Sequence, residues 1–250
     1  MPIRDFKPAR TRQEFEQRIQ RQRDSLGMTR HPVWFRGHGS VAYSLVPTLF
    51  RKLPYRWQIE HNVYADFVTE GKRMTPNGLS DWETLSTMQH WGAPTRLLDW
   101  THSLSVALFF ALYGRTNSPT IWLLNPYALN ERAFGRRVVY DELIKPPYQY
   151  TTLLDGTEPP HLSPMALQVA WTNERVERQS GLFTVHGRSA TPLNEQADIR
   201  PCIKHVVIAD ELVPELRKAL LDAEMTPAKI FPDLGGVCTT LRWRYGFENR

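Results

Sequence analysis

Residues 88–112, MQHWGAPTRLLDWTHSLSVALFFAL, gather two histidines, an arginine, an aspartate and two tryptophans around an almost wholly apolar run. Polar groups at the mouth of a buried helix serve either as caps and scaffold or as a site. Asp99 and Thr101 bracket Trp100 just before that run. Either can cap the helix, because free amides and the helix dipole at an N-terminus favour acceptors and anions. The same end of a helix can equally cradle a phosphate. His90 and His102 are candidate general acid–base groups, since imidazole titrates near neutral pH; each is equally a hydrogen-bonded scaffold residue. Thr95 and Arg96 lie on the approach, and Arg96 is expected to pair with Asp99 across the turn.

Two further clusters carry chemistry. In WFRGH (34–38), Arg36 ends an aromatic strand and Gly37 follows at once. A guanidinium grips carboxylate or phosphate through its planar fork. Arg36 therefore either reaches a ligand or is buried against Asp99, and Gly37 lets backbone or ligand approach closely. In NERVERQSGLFTVHG (173–187), Glu174, Glu177 and Gln179 precede a turn into a strand. A carboxylate and an amide there suit a pair of sugar hydroxyls; the alternative is an exposed charged turn. There is no HxxxH, HExxH, CxxC or calcium-loop pattern, so no metal is expected. Nor is there a GxSxG elbow, a Walker loop or a GxGxxG.

The elements that must position these groups are legible in part. Thr11 with Glu14 and Ser80 with Glu83 form capping-box patterns ahead of 12–25 and 81–91. Apolar spacing predicts helices over 59–74 and 214–224, and a buried one over 103–114, which Thr101 would cap. Strands are expected at PVWFRG, TIWLLNP, LFTVHG and CIKHVVIA. Pro146, Pro147, Pro159 and Pro160 mark 126–165 as an irregular insertion of loops or a lid. The class is α+β: one domain, with a helix-rich first half and a mixed, split β-sheet core. We divide it into an N-terminal basic helix (1–28) and a main body (29–250).

A length of 250 residues supports a sizeable core. No apolar run is long enough to span a bilayer, so no membrane partner is expected. The N-terminus has no secretory pattern, and Cys202 and Cys238 lie far apart, which together predict a cytoplasmic protein. Residues 1–56 hold 12 Lys and Arg against 4 Asp and Glu, whereas the remainder holds 19 against 22. That basic third is a field suited to polyanions.

In their order, WFRGH, LVPTLFR (45–51), the 88–112 stretch, 173–187 and IFPDLGGV (230–237) resemble the FRG domain, a family named for its aromatic-Arg-Gly motif. The layout is also distantly similar to that of ADP-ribosyltransferases of the Arg-Ser-Glu type. That resemblance implies NAD as substrate, held by Trp34, Arg36, Gly37, His90, Thr95, Arg96, Trp100 and Thr101. Arg36, Asp99, Glu177 and Gln179 would then be catalytic, with Trp34 or Trp100 stacking on a ring of the dinucleotide. DWT stands where that family has Ser-Thr-Ser, and E-x-Q where it usually ends on Glu. The implied acceptor is a nucleic acid or a protein, with nucleic acid slightly favoured. The implied setting is a toxin, restrained by an antitoxin partner, or a phage-defence effector. A metal-independent nuclease using His90, His102 or Asp99, and a non-catalytic binding module, are the competing readings.

Overall fold

Strand β1 (Trp34–His38) opens with two buried aromatics that face opposite ways, as the two-residue period of a strand requires. Trp34 packs among Leu98, Trp100 and Trp122, whereas Phe35 packs among Ala107, Phe109 and Ile121. The two faces thereby belong to different parts of the core. The computed structural model describes residues 7–28, 31–51, 57–114, 116–154, 163–169, 182–187 and 189–247.

Among the described residues, six strands form two small sheets. Strand β1 pairs with β3 (Thr120–Leu124), which pairs in turn with β6 (Ile203–Val207), all antiparallel. The second sheet has the order β2 (Leu97–Trp100), β5 (Leu182–Val185), β4 (Met165–Gln168), again antiparallel. Isolated parallel bridges join Ala9 to Ile208, Ser40 to Asn117 and Tyr140 to Leu167. The sheets meet where Phe35 and Thr101 exchange backbone hydrogen bonds of 2.7 and 2.8 Å. The core is therefore a split sheet, and the class is α+β.

Helices cover both sheets. Helix α1 (Arg12–Ser25) is capped by Thr11 and buries Phe15 and Ile19. A short α2 (Thr48–Arg51) leads to α3 (Trp57–Gly71) and to α4 (Asp81–His90), whose capping box joins Ser80 and Glu83. Helix α5 (Leu104–Leu112) is buried against β1. Then come α6 (Pro126–Phe134), α7 (Tyr150–Leu154), α8 (Val213–Asp222), α9 (Pro227–Ile230) and α10 (Leu234–Tyr245).

Several expectations are corrected. Gly37 does not end its strand; it lies inside β1, where α5 crosses. A Cβ at that position would stand 1.9 Å from the Ala107 carbonyl oxygen and 2.5 Å from the Ala111 nitrogen. Glycine is thus required by helix packing and not by a turn. Gly37→Ala should cost about 1–3 kcal/mol through forced separation of α5 from β1. Urea unfolding checks this, and a loss under about 0.5 kcal/mol would contradict so close a crossing.

Thr101 does not cap α5. Ser103 does, accepting from the Val106 amide at 3.3 Å, while Thr101 Oγ1 accepts from the Ser103 amide at 3.1 Å. Of the stretch 126–165, residues 155–162, with Pro159 and Pro160, lie outside the described residues, and among the rest 126–134 and 150–154 are helical. Pro126 occupies the first turn of α6, where its missing N–H is harmless, and Asn125 caps it. Tyr140, Tyr148 and Tyr150 are buried in one aromatic core with Trp82.

Arg96 does not pair with Asp99. It is 1% exposed and forms an ion pair with Glu60, itself 2% exposed. Arg96 Nε donates to Glu60 Oε1 at 2.5 Å and Nη1 to the His186 carbonyl at 2.9 Å. The Tyr150 hydroxyl also joins the cluster, donating to Glu60 Oε1 at 3.0 Å. Burial and the Glu60 charge raise the Tyr150 pKa far above its ordinary value, so it stays a donor. This cluster joins α3, α7 and the start of β2.

Candidate functional site

A cavity of about 310 Å³ lies along the seam of the split sheet. Phe35, Arg36 and Gly37 of β1 form one wall, and Asp99 and Trp100 of β2, with Thr101, continue it. Ser86, Gln89 and His90 enter from α4, Val106, Ala107 and Phe110 from α5, and Leu182 and Phe183 from β5. Phe231, between α9 and α10, completes the lining. The lining therefore combines polar and charged groups with apolar and aromatic ones. That combination suits a ligand with both a polar group and a planar ring.

By the strand period Arg36 shares a face with the buried Trp34, opposite Phe35 and Gly37, which pack against α5. The side chain is 16% exposed. Its Nη1 donates to the Asp99 carbonyl oxygen at 2.7 Å and stands 3.5 Å from Asp99 Oδ2. Its Nε donates to His38 Nε2 at 3.0 Å. Burial lowers the Arg36 pKa, while Asp99 works in the opposite direction. A guanidinium nonetheless remains charged at neutral pH.

His38 acts as a hinge pin for that guanidinium. Burial, reinforced by the adjacent Arg36 charge, pushes its pKa down to about 3. The ring is therefore neutral. Arg36 Nε and the Trp122 indole Nε1 can only donate, and they face His38 Nε2 at 3.0 Å and Nδ1 at 3.2 Å. A proton on Nδ1 serves Arg36 and the Tyr43 carbonyl, 3.2 Å from Nδ1, and leaves the Trp122 approach without a hydrogen bond.

Asp99 is the solvent-facing member, with its side chain 56% exposed. Gln89 Nε2 donates to Asp99 Oδ2 at 2.8 Å. Gln89 Oε1 accepts from Thr95 Oγ1 at 2.5 Å, and Thr95 Oγ1 accepts from the Leu97 amide at 3.2 Å. A chain of hydrogen bonds thus orients the amide and, through it, the carboxylate. Arg36 and Gln89 approach the carboxylate from β1 and α4, so two separate elements fix its place.

Of the residues singled out in the sequence, Arg36, Gly37, His90, Asp99, Trp100 and Thr101 share this cavity. Trp34, Thr95 and Arg96 do not line it and are buried. Trp100 is also buried, with Nε1 donating to Thr184 Oγ1 at 2.9 Å. The stacking role expected of Trp34 or Trp100 is therefore corrected: both indoles are committed to the core. His102 is not among the lining residues and stacks edge-on against Trp34 at 6.3 Å. Glu174, Glu177 and Gln179 lie outside the described residues. Among the described residues there is no group of three or more His, Cys, Asp or Glu placed to hold a metal ion.

Gln89, Ser86, Phe110 and Phe231 escaped the sequence reading. Gln89 stood beside the more conspicuous His90, and helical spacing puts Ser86, Gln89 and His90 on one face of α4. That signal was available. Phe231 was not findable, because nothing local says that residue 231 returns to a strand at residue 36.

An α+β protein with an arginine–aspartate pair walling a crevice between two halves of a sheet is what the fold and site define. More particularly, residues 31–119 match the family model of the FRG domain. That match runs from β1 through α5 and includes Arg36, Gln89, His90 and Asp99. It covers roughly a third of the chain, less than the span over which the resemblance was read. No curated protein and no solved structure matches the chain. No helix among the described residues is long and apolar enough to cross a membrane.

Proposed function

We propose that the protein is an ADP-ribosyltransferase that takes NAD as substrate and modifies a macromolecule. The observation that carries this reading is the Arg36–Asp99 pair in a cavity at the seam of a split sheet that aromatic side chains also line. A dinucleotide needs a cation near its phosphates, acceptors near its ribose hydroxyls and apolar surface for its rings. Arg36 would supply the first, Asp99 the second, and Phe110, Phe183 and Phe231 the third.

In the reaction, the bond between the nicotinamide nitrogen and ribose C1′ breaks, and its electron pair leaves with neutral nicotinamide. The sugar develops oxocarbenium character, as in glycoside cleavage. A fixed carboxylate near the ribose stabilises that charge without reorganising. A nucleophilic oxygen or nitrogen of the acceptor then bonds to C1′ and releases its proton, for which His90 is the acceptor on the cavity wall. Glu177 or Gln179, which precede Leu182 in sequence, remain the candidates for a second ribose contact.

For the acceptor we favour nucleic acid over protein because of the basic N-terminal third. Part of that charge is compensated within α1, where Arg12 pairs with Glu16 and Arg18 with Glu14. We place the protein in the cytoplasm, as a toxin held by an antitoxin partner or as a phage-defence effector. Incubation with labelled NAD and a cell lysate tests the reading. Label should appear on nucleic acid. Label on protein corrects the acceptor, and shortened RNA without added NAD replaces the transferase with a nuclease.

A further inference from the structure

Trp91 is 75% exposed, although a tryptophan ordinarily gains most by burying its large apolar ring. It sits at the C-cap of α4, where its amide donates to the Thr87 carbonyl at 3.1 Å. The next residue, Gly92, turns the chain away with φ +84°. One edge of the indole is held by the His90 ring, with centroids 5.3 Å apart and planes at 86°. His90 lines the cavity. The exposed ring therefore touches a residue that lines the cavity, although Trp91 itself is outside the lining.

At about 310 Å³ the cavity is at the small end of ligand pockets. Pockets that enclose most of a ligand run from about 300 to 1,000 Å³, so a dinucleotide is expected to extend beyond this one. Any larger substrate must continue over the rim, where the other ring needs a partner of its own. Trp34 and Trp100 are unavailable for this, being buried. We infer that Trp91 is a stacking platform for a nucleobase at the mouth of the cavity. The inference rests on the transferase reading for its substrate. The base belongs either to the dinucleotide or to an unpaired stretch of the nucleic-acid acceptor, because every base offers the same flat face.

The test compares wild-type protein with Trp91→Ala and Trp91→Phe by calorimetric titration. The probes are AMP, ribose 5-phosphate and a short oligothymidylate. Trp91→Ala should weaken AMP binding roughly 5- to 100-fold, the range for losing one stacked base. Trp91→Phe should keep most of the affinity, and ribose 5-phosphate, which has no base, should bind all three proteins alike. If only oligothymidylate weakens, the platform stands and its base is the acceptor's. If neither base-bearing probe binds wild type, or neither distinguishes Trp91→Ala from it, the inference is overturned. Melting temperature should not move, since the ring is exposed. Transfer of label from NAD by wild type is a separate readout. Base binding that depends on Trp91, without transfer, keeps the platform and removes the transferase; transfer with indifference to Trp91 does the converse.

Discussion

Glu60→Ala is expected to destabilise the protein by about 3–5 kcal/mol, the cost of leaving one partner of a buried ion pair unmatched. Arg96 lies at 1% exposure, between Glu60 and the His186 carbonyl, so water cannot replace the lost carboxylate without opening the core. The Tyr150 hydroxyl loses its acceptor as well. Urea unfolding should show the loss, and melting should fall by roughly 6–20 °C for a chain of this size. A double change, Glu60→Leu with Arg96→Met, should recover most of it, because paired apolar replacements remove the charge together with its partner. Equal losses from Glu60→Ala and from the double change would mean that packing, and not charge, dominates there.

Arg36→Ala is expected to lower transfer from NAD by roughly 100- to 1,000-fold, the scale seen when one fixed electrostatic donor is removed from an active site. Stability should fall much less, by about 1–3 kcal/mol for the unmatched Asp99 carbonyl and His38 ring. Asp99 itself remains half exposed and can be hydrated. Arg36→Lys should not rescue the rate. A single ammonium cannot reproduce contacts made by Nη1 to Asp99 and by Nε to His38. The check is initial rates of label transfer beside melting curves of the same preparations. A rate loss matched by wholesale unfolding would identify Arg36 as scaffold and return its role to the buried pairing also considered from the sequence.

The Arg36–Asp99 contact was one of the two alternatives posed from the sequence, and its geometry lies between them. The guanidinium is neither sealed in the core nor free in solution; it is largely buried with one side on the cavity. The Arg96 reading failed for a definite reason. Proximity in sequence suggested Asp99, but strand β2 turns alternate residues to opposite faces, so Arg96 and Asp99 are directed to different surroundings. Glu60 lies 36 residues away on another helix, beyond any local pattern.

Short elements were the hardest to read. Strand β2 has four residues, LLDW, next to a glycine and a proline, and it reads locally as the tail of a turn. It becomes a strand because β5 pairs with it along its whole length, from Leu97–Val185 to Trp100–Leu182. Helix α10 begins with a leucine and two glycines and leaves large apolar side chains exposed, so its pattern carries little period.

By itself, the sequence determined the helix starts at Thr11 and Ser80, the buried run of α5, the strands β1, β3, β5 and β6, and part of the cavity lining: Arg36, Gly37, His90, Asp99, Trp100 and Thr101. These are local matters, set by capping hydrogen bonds and by the period of apolar side chains. Only the tertiary structure decided that Arg36 meets Asp99, that Arg96 meets Glu60, that Gly37 makes room for α5, and that Trp91 rather than Trp34 or Trp100 carries the exposed ring. Each of those depends on which surfaces come together after the chain has closed loops of tens of residues. The free energy of such contacts resides in burial and in partners distant along the chain, which no short window of sequence contains.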